Sequence, residues 1–492
     1  MEVQQPSSGS PPPAPAPKSR RGLWAVLAVI VIVVVVLVAA VLAGLFNPPP
    51  TKVTTLVIGT VLSKTGNLRA YGTDNENGTQ MAVDEINAAG GVLGNPVQIY
   101  HQDDATDPIT ARSVTGTLIA QNHVAAIVGA TGSGQCSTVE PVAANNSVVE
   151  ISASCTSPKF SNQSITGGWF FRTAPSDALQ GVVAAYYAYH NLSVRRAAVI
   201  GINNAYGTGL AGVFASTFKS LGGVITDDPP RIVNEIGSGA TDYTTDLQAV
   251  LNIANPPQLL YFVAYPPDGV VLMTDWWQGL GANPGWANIN YTFSEGLYDS
   301  QFINPLVTAG VNVSAFQGTA PSAYGGLYGP QYVAWQSNYS AKYHRTPTLF
   351  TSNAYDAVYL IALAAEKAGD ASGPSIKANL RTVANGPGVA IYPGDWAAAL
   401  TAIGNGQGVN YEGASGSLNL NANGDPTSGY IVWGVNRTNA LTINHIFPES
   451  LVISLVTQYG SASLTVQSLP VPTTLPNFIH LQVAVDARIW RN

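Results

Sequence analysis

From residue 54 onward, short runs of β-branched and aliphatic residues alternate with longer stretches whose apolar side chains recur every three or four positions. This is the rhythm of strand–helix–strand units with parallel strands. A first strand is expected at 54–62, followed by a glycine-bearing loop at 63–72. The next helix carries Met81, Ala82, Val83 and Ile86 and is ended by Gly90 and Gly91. Further strands are expected at 97–100, 124–129 and 148–153, and Asp107-Pro108 reads as a helix cap followed by proline in the first helical position. A second series starts at Arg196, with a strand at 197–202, a helix from about Gly209, and a strand at Leu259–Val263. Strands this apolar need both faces covered, which implies an α/β architecture of parallel sheets with helices on each side. After Phe447 the alternating runs 451–457 and 479–485 read as edge strands of a β-rich extension.

The N-terminal pattern is different. Residues 1–17 are rich in Pro, Ser and Ala and read as disordered; Lys18, Arg20 and Arg21 then precede an unbroken apolar run at 23–46. That run is long enough for a bilayer-spanning helix and exceeds the usual signal-peptide core of roughly 7–15 residues. A retained anchor is therefore expected at 23–46 in preference to a cleaved signal peptide, with 1–22 as a cytoplasmic tail and 47–53 as a linker. Basic residues on the N-terminal side alone place the remainder on the extracytoplasmic face of the cell membrane. Sequons such as Asn77-Gly78-Thr79 and Asn191-Leu192-Ser193 are compatible with an exported glycoprotein.

Composition narrows the function. The 492 residues suit about three structural units. Charged residues are only 10% of the chain and the net charge is -7, so there is no basic surface for a nucleic acid. Two cysteines exclude a disulfide scaffold and a four-cysteine zinc site. Cys136 and Cys155 follow adjacent parallel strands in an oxidising compartment, so a disulfide is expected between them, with two free buried thiols as the alternative.

No catalytic set emerges. Gly207–Gly212 fits G-x-G-x-x-G, but Asn203–Tyr206 separate it from the strand end, where a dinucleotide fingerprint needs its first glycine. There is no G-x-S-x-G and no H-E-x-x-H, and the six histidines lack metal-ligand spacing. Asp103, Asp104 and Asp107 suit a loop and helix cap better than a cation site. Neither a cofactor nor a metal is expected. Tyr71 and Tyr206, each in an Ala-Tyr-Gly after the first strand of its series, would lie at the strand ends where open α/β sheets bind ligands.

Short segments then combine into a resemblance. They run from Leu62-Ser63 to Ala70-Tyr71-Gly72, through Ala82–Asn87 with Gly90-Gly91, Asp103–Pro108, Gly129 to Ser133-Gly134, and Ile151–Pro158. Phe171-Arg172-Thr173, Ala205-Tyr206-Gly207, Ser294-Glu295-Gly296 and Tyr411-Glu412-Gly413 continue the series. Their order and spacing between about 54 and 446 resemble the type I periplasmic solute-binding family, in its leucine/isoleucine/valine-binding branch. The resemblance implies two doubly wound parallel-sheet lobes joined by three crossovers: 54–175 with 322–428, and 176–321 with 429–446, leaving 447–492 as the C-terminal extension.

It also implies a site for an amino acid, branched-chain or similar. Ser133 and Thr156 match residues that receive the ligand α-carboxylate, and a helix start at Ser133 suits an anion. Ser154 matches the position whose carbonyl accepts from the α-ammonium, and Glu295 the acid that pairs with it. Tyr71, Tyr206, Tyr265 and Phe350 match cleft-lining positions. Lys64 and Arg69 depart from the pattern by adding cations to the first cleft loop, where they would be solvated or would accept an acidic ligand side chain. The implied role is delivery of the amino acid to the permease and ATPase of an ABC importer, with a sensory receptor ectodomain as the alternative and no enzymatic activity.

Overall fold

Strand β1 (Val57–Leu62) alternates its side chains between two apolar clusters, Ile58 packing with Ala82 and Tyr359 and Val61 with Leu118 and Val139. That period of two, with both faces apolar, fixes a sheet covered on each side. The computed structural model describes residues 21–42, 52–322 and 329–460, in two compact units that divide between Thr51 and Lys52.

In the larger unit, β1 is followed by β2 (Gln98–Asp103), β3 (Ala126–Gly129), β4 (Val149–Ser152) and β5 (Phe170–Arg172), all parallel in the order β2-β1-β3-β4-β5. The second lobe opens with β6 (Arg196–Ile202), flanked on one side by β7 (Val224–Ile225) and β8 (Arg231–Val233). On its other side follow β9 (Leu259–Val263), β10 (Asn290–Phe293) and β11 (Gln317–Pro321), again parallel. Both lobes wind alike, and the strand order reverses between β1 and β3 in one and between β6 and β9 in the other. Ligand sites form at such reversals, beyond the C-terminal ends of the strands.

The chain then returns to the first lobe. Helix Thr351–Ala368 is buried at every position from Thr351 to Ala365, because its apolar residues surround it. A small sheet of β12 (Val389–Ile391), β13 (Val409–Gly413) and β14 (Gly416–Ser417) follows. Finally β15 (Tyr430–Val435) pairs antiparallel with β11, and β16 (Leu441–Phe447) antiparallel with β15. The second sheet is thus mixed, not wholly parallel as expected, because its last two strands come from a hairpin and need no helical crossover.

Two element boundaries also differ from expectation. Helix Ala205–Ser220 begins four residues before Gly209, since Asn204 caps it by accepting from Tyr206 N and Gly207 N (both 2.9 Å). Helix Arg69–Ala88 likewise begins inside the expected loop, which puts Tyr71 in its first turn. The run 451–457 is not a strand: it lies in helix Glu449–Tyr459, whose Val452, Leu455 and Val456 pack against Val182 and Val183. Those three apolar positions have helical spacing, which a short run hides among its flanking apolar residues. The run 479–485 lies outside the described residues.

In the smaller unit, 21–42 form one helix, Arg21–Leu42, and its described side chains, those of 27–39, are exposed. Among the described residues no helix is long and apolar enough to cross a membrane.

Candidate ligand-binding site

The first wall of the site is built from the loops after β1, β3 and β4. Ser63 donates its backbone N–H to Thr131 Oγ1 (3.0 Å) and its hydroxyl to Asp104 (2.6 Å). Asp103 accepts from Lys64 N, Thr65 N and Ala105 N, while Asp107 caps the next helix by accepting from Thr110 N (2.7 Å). The three acids therefore hold loops and a helix end, and no group of metal-ligating side chains occurs among the described residues. Lys64 is engaged by Glu76 (2.8 Å), and Arg69 is exposed and reaches only Gly66 O of its own loop (3.5 Å). Neither cation is arranged to receive an acidic side chain.

Gly72 is required beside Tyr71, because a Cβ there would sit 2.0 Å from Ser63 O. Tyr71 itself is buried. Helix Ser133–Asn145 starts without a side-chain cap, so its N-terminus is open to an anion. Ser133 Oγ accepts from Ser157 N (3.2 Å), Ser154 donates its hydroxyl to Thr131 O (2.7 Å), and Thr156 O accepts from Asp177 N (2.8 Å). A disulfide joins Cys136 to Cys155 with their Cα atoms 6.6 Å apart, tying the helix start to the loop after β4.

The facing wall comes from the second lobe. Tyr206, after β6, and Tyr265, after β9, stack with ring centroids 5.5 Å apart, and Tyr265 accepts from Asn204 Nδ2 (3.4 Å). Glu295 follows β10, and its Oε2 accepts from Gln180 Nε2 (2.7 Å). Burial pushes the Glu295 carboxyl up to about 7, against the lowering effect of hydrogen bonds from Tyr206 and Gln180.

The lobes are closed on one another. Across the gap, Tyr71 donates to Gly296 O (3.1 Å) and Ser157 donates to Ala205 O (2.7 Å); within the second lobe, Tyr206 accepts from Gly296 N (3.3 Å). Tyr71, Tyr206, Tyr265 and Phe350 fall in one apolar cluster, Phe350 at the start of helix Thr351–Ala368 with φ +69. The structure thus brings the aromatic residues together, sets Glu295 among them, and groups Ser133, Ser154 and Thr156 on the opposite wall. Ser154 is half-buried; the others are buried.

One buried group, Asp177, escaped the sequence reading, and Arg172, quoted there only within a matching segment, was given no role. Asp177, fully buried, lies beside the Thr156 hydroxyl and near Glu295, and burial raises its carboxyl well above the usual range, with the Glu295 charge adding to the effect. In the sequence it looks like an ordinary first-turn acid behind the cap Ser176, whose hydroxyl accepts from Ala178 N. Arg172 is 0% exposed and gives Nε to Asp425 (2.7 Å), Nη1 to Cys155 O and Ser157 O (3.0 Å each) and Nη2 to Ser161 Oγ (2.7 Å). It pins the crossover after β5 to the one before β15.

The profile of the periplasmic binding protein family matches residues 55–407. The Leu/Ile/Val-binding protein BraC3 of Rhizobium johnstonii is 30% identical over 318 residues, 64% of this chain and 80% of that protein. A chemotactic signal transduction system substrate-binding protein, BasB of Halobacterium salinarum, is 27% identical over 382 residues, 75% of this chain and 84% of its own. The branched-chain amino acid transporter substrate-binding protein LivJ of Streptococcus pneumoniae, solved with isoleucine, superposes with a TM-score of 0.63 at 23% identity, covering 80% of this chain and 99% of that one. Fold and relatives are those of substrate-binding proteins, which are not enzymes. With the two like-wound lobes and the site at their strand ends, the match establishes that this chain belongs to the type I periplasmic binding protein family, in the branch that includes the Leu/Ile/Val-binding proteins.

Proposed function

We propose that the chain binds an amino acid, branched-chain or similar, between its lobes and delivers it to the permease and ATPase of an ABC importer. The carrying observation is the opposition of charge preferences between the two walls: a helix start with no side-chain cap and hydroxyls at Ser133 and Thr156 on one, and the buried acid Glu295 on the other. A zwitterion satisfies both, its α-carboxylate on the helix start and its α-ammonium on Glu295, while Tyr71, Tyr206, Tyr265 and Phe350 suit an apolar side chain. The names of the relatives, Leu/Ile/Val-binding and branched-chain transporter proteins, support this class of ligand.

Calorimetry against the amino acids tests the reading. Glu295→Gln keeps the shape but leaves the ammonium unpaired, a loss of about 3–5 kcal/mol or roughly two to four decades of affinity. Tyr71→Ala should lose less, since it removes contact area and no formal charge. Equal binding of an amino acid and its N-acetyl derivative, or a change below about threefold in Glu295→Gln, would defeat the assignment.

The second reading is a sensory role, favoured by the likeness to the chemotactic BasB protein. Crosslinking in cells separates the two: capture of a permease supports transport, capture of a transducer or kinase supports sensing. The proposed location is the extracytoplasmic face of the cell membrane, with 23–46 as a retained single-pass anchor; its apolar run and basic N-terminal flank support this. A mature N-terminus near Gly44, read by mass spectrometry, would refute the anchor.

A further inference from the structure

A second buried carboxyl, Asp177, lies near Glu295, the proposed partner of the ligand ammonium. Glu295 comes from the second lobe and Asp177 from the start of helix Asp177–Tyr186, and they are 3% and 0% exposed. Gln180, one turn after Asp177 on that helix, donates to Glu295 (2.7 Å), and the Glu295 charge acts on Asp177. Glu295 has Gln180 on one oxygen, whereas neither Asp177 oxygen makes a hydrogen bond of acceptable geometry, even with Thr156 beside it. Arg172 faces Asp177, but its Nε, Nη1 and Nη2 are taken by Asp425, two carbonyls and Ser161. The other titratable neighbours are phenols. Tyr71, Tyr206, Tyr261, Tyr265 and Tyr430 are each raised by burial and are neutral between about pH 5 and 8. Asp299, whose charge acts on Tyr71, caps the next helix by accepting from Gln301 N (2.7 Å). Arg172 draws Asp177 toward its charged form but is already paired with Asp425, so burial and the neighbouring Glu295 charge oppose a second negative charge and one of the two carboxyls keeps a proton.

We infer that the empty site holds a proton on the Asp177–Glu295 pair and that the incoming ligand ammonium displaces it to bulk water, which makes uptake proton-linked and Asp177 a second determinant of selectivity for a cationic group. The inference rests on the amino-acid reading above. The ligand enters as a net-neutral zwitterion; its carboxylate is taken by the helix start, and its ammonium lowers the proton affinity of the pair so that one proton leaves to bulk water. Burial, with the hydrogen bonds from Tyr206 and Gln180 opposing it, pushes Glu295 up to about 7, so the exchange falls near neutrality. Affinity then rises with pH while the empty pair is protonated and levels off once it has ionised. A more acidic exterior weakens capture and promotes release.

The test is titration calorimetry of the full chain in detergent with L-leucine, L-isoleucine and L-valine at about pH 5, 6, 7 and 8, each in two buffers of different ionisation enthalpy. Expected are roughly one proton released per ligand near pH 6 and about a tenfold gain in affinity per pH unit below about 7. Asp177→Asn, which leaves Glu295 without a like-charged neighbour, should abolish most of the proton release and flatten the pH profile while ligand still binds. Tight binding with no proton release and no pH dependence in the unaltered chain overturns the inference and leaves the amino-acid reading standing. Undiminished proton release from Asp177→Asn overturns the role of Asp177. Failure of all twenty amino acids to bind overturns the amino-acid reading and this inference with it.

Discussion

Gly209 faces Pro158 across the line where the lobes meet, and a Cβ there would come 2.9 Å from the Pro158 Cδ. Two of the three glycines of the motif at 207–212 make such approaches, Gly207 against Ile202 O and Gly209 against the opposite lobe, whereas a Cβ at Gly212 would meet nothing within 4 Å. Gly209→Leu is therefore expected to hold the lobes apart and lower ligand affinity by at least tenfold, while the thermal midpoint of the ligand-free chain changes little. Calorimetry with small-angle scattering checks both parts. At this scale the sequence was informative where a residue's type is unusual for its place. Glu295 and the paired tyrosines stood out after strand ends, where binding residues gather. Asp177 and Arg172 did not, because a first-turn acid and a lone arginine have ordinary local explanations, and their roles arise from groups far away in the chain, such as Glu295 and Asp425.

Among the elements, strands were legible because β1, β3, β6 and β9 are short, mostly apolar runs buried on both faces. Helix starts were less so: Asn204 and the close packing of Gly72 move two helices earlier than their apolar stripes suggest. The run 451–457 was misread because its helical spacing shows only against the partner helix Asp177–Tyr186. The Cys136–Cys155 bridge acts at this scale too. It closes a loop of 19 residues, for which chain entropy gives about 3 kcal/mol of stabilisation. Urea denaturation with and without reductant is expected to differ by about that amount, with the reduced protein less stable. The loss of ligand affinity on reduction should be the more diagnostic result, because the bridge ties the start of helix Ser133–Asn145 to the loop after β4, the wall proposed to receive the ligand carboxylate.

For the whole molecule, sparse charge is combined with buried acids. Asp104 and Asp356 are each pushed up to about 6 by burial, against the hydrogen bonds that they accept from Ser63 and Thr106 and from Ser415, Tyr411 and Ala414. A carboxyl raised on folding stabilises the fold fully below its unfolded pKa, near 3.9, and that contribution is lost as pH rises through the folded value. Each of these two groups contributes on the order of 3 kcal/mol in that direction. The chain is thus expected to unfold at a higher temperature near pH 4 than near pH 7.5, and Asp356→Asn should narrow the gap; a calorimetric scan across that range decides it. The cross-linked wall of the first lobe has a kinetic consequence. A surface fixed before the ligand arrives can be met at close to the encounter rate, whereas Glu295 engages only when the second lobe swings in. Association should then proceed in two phases, a concentration-dependent docking followed by a concentration-independent closure. The penalty of Glu295→Gln should fall almost wholly on residence time, leaving the docking phase unchanged in stopped-flow traces.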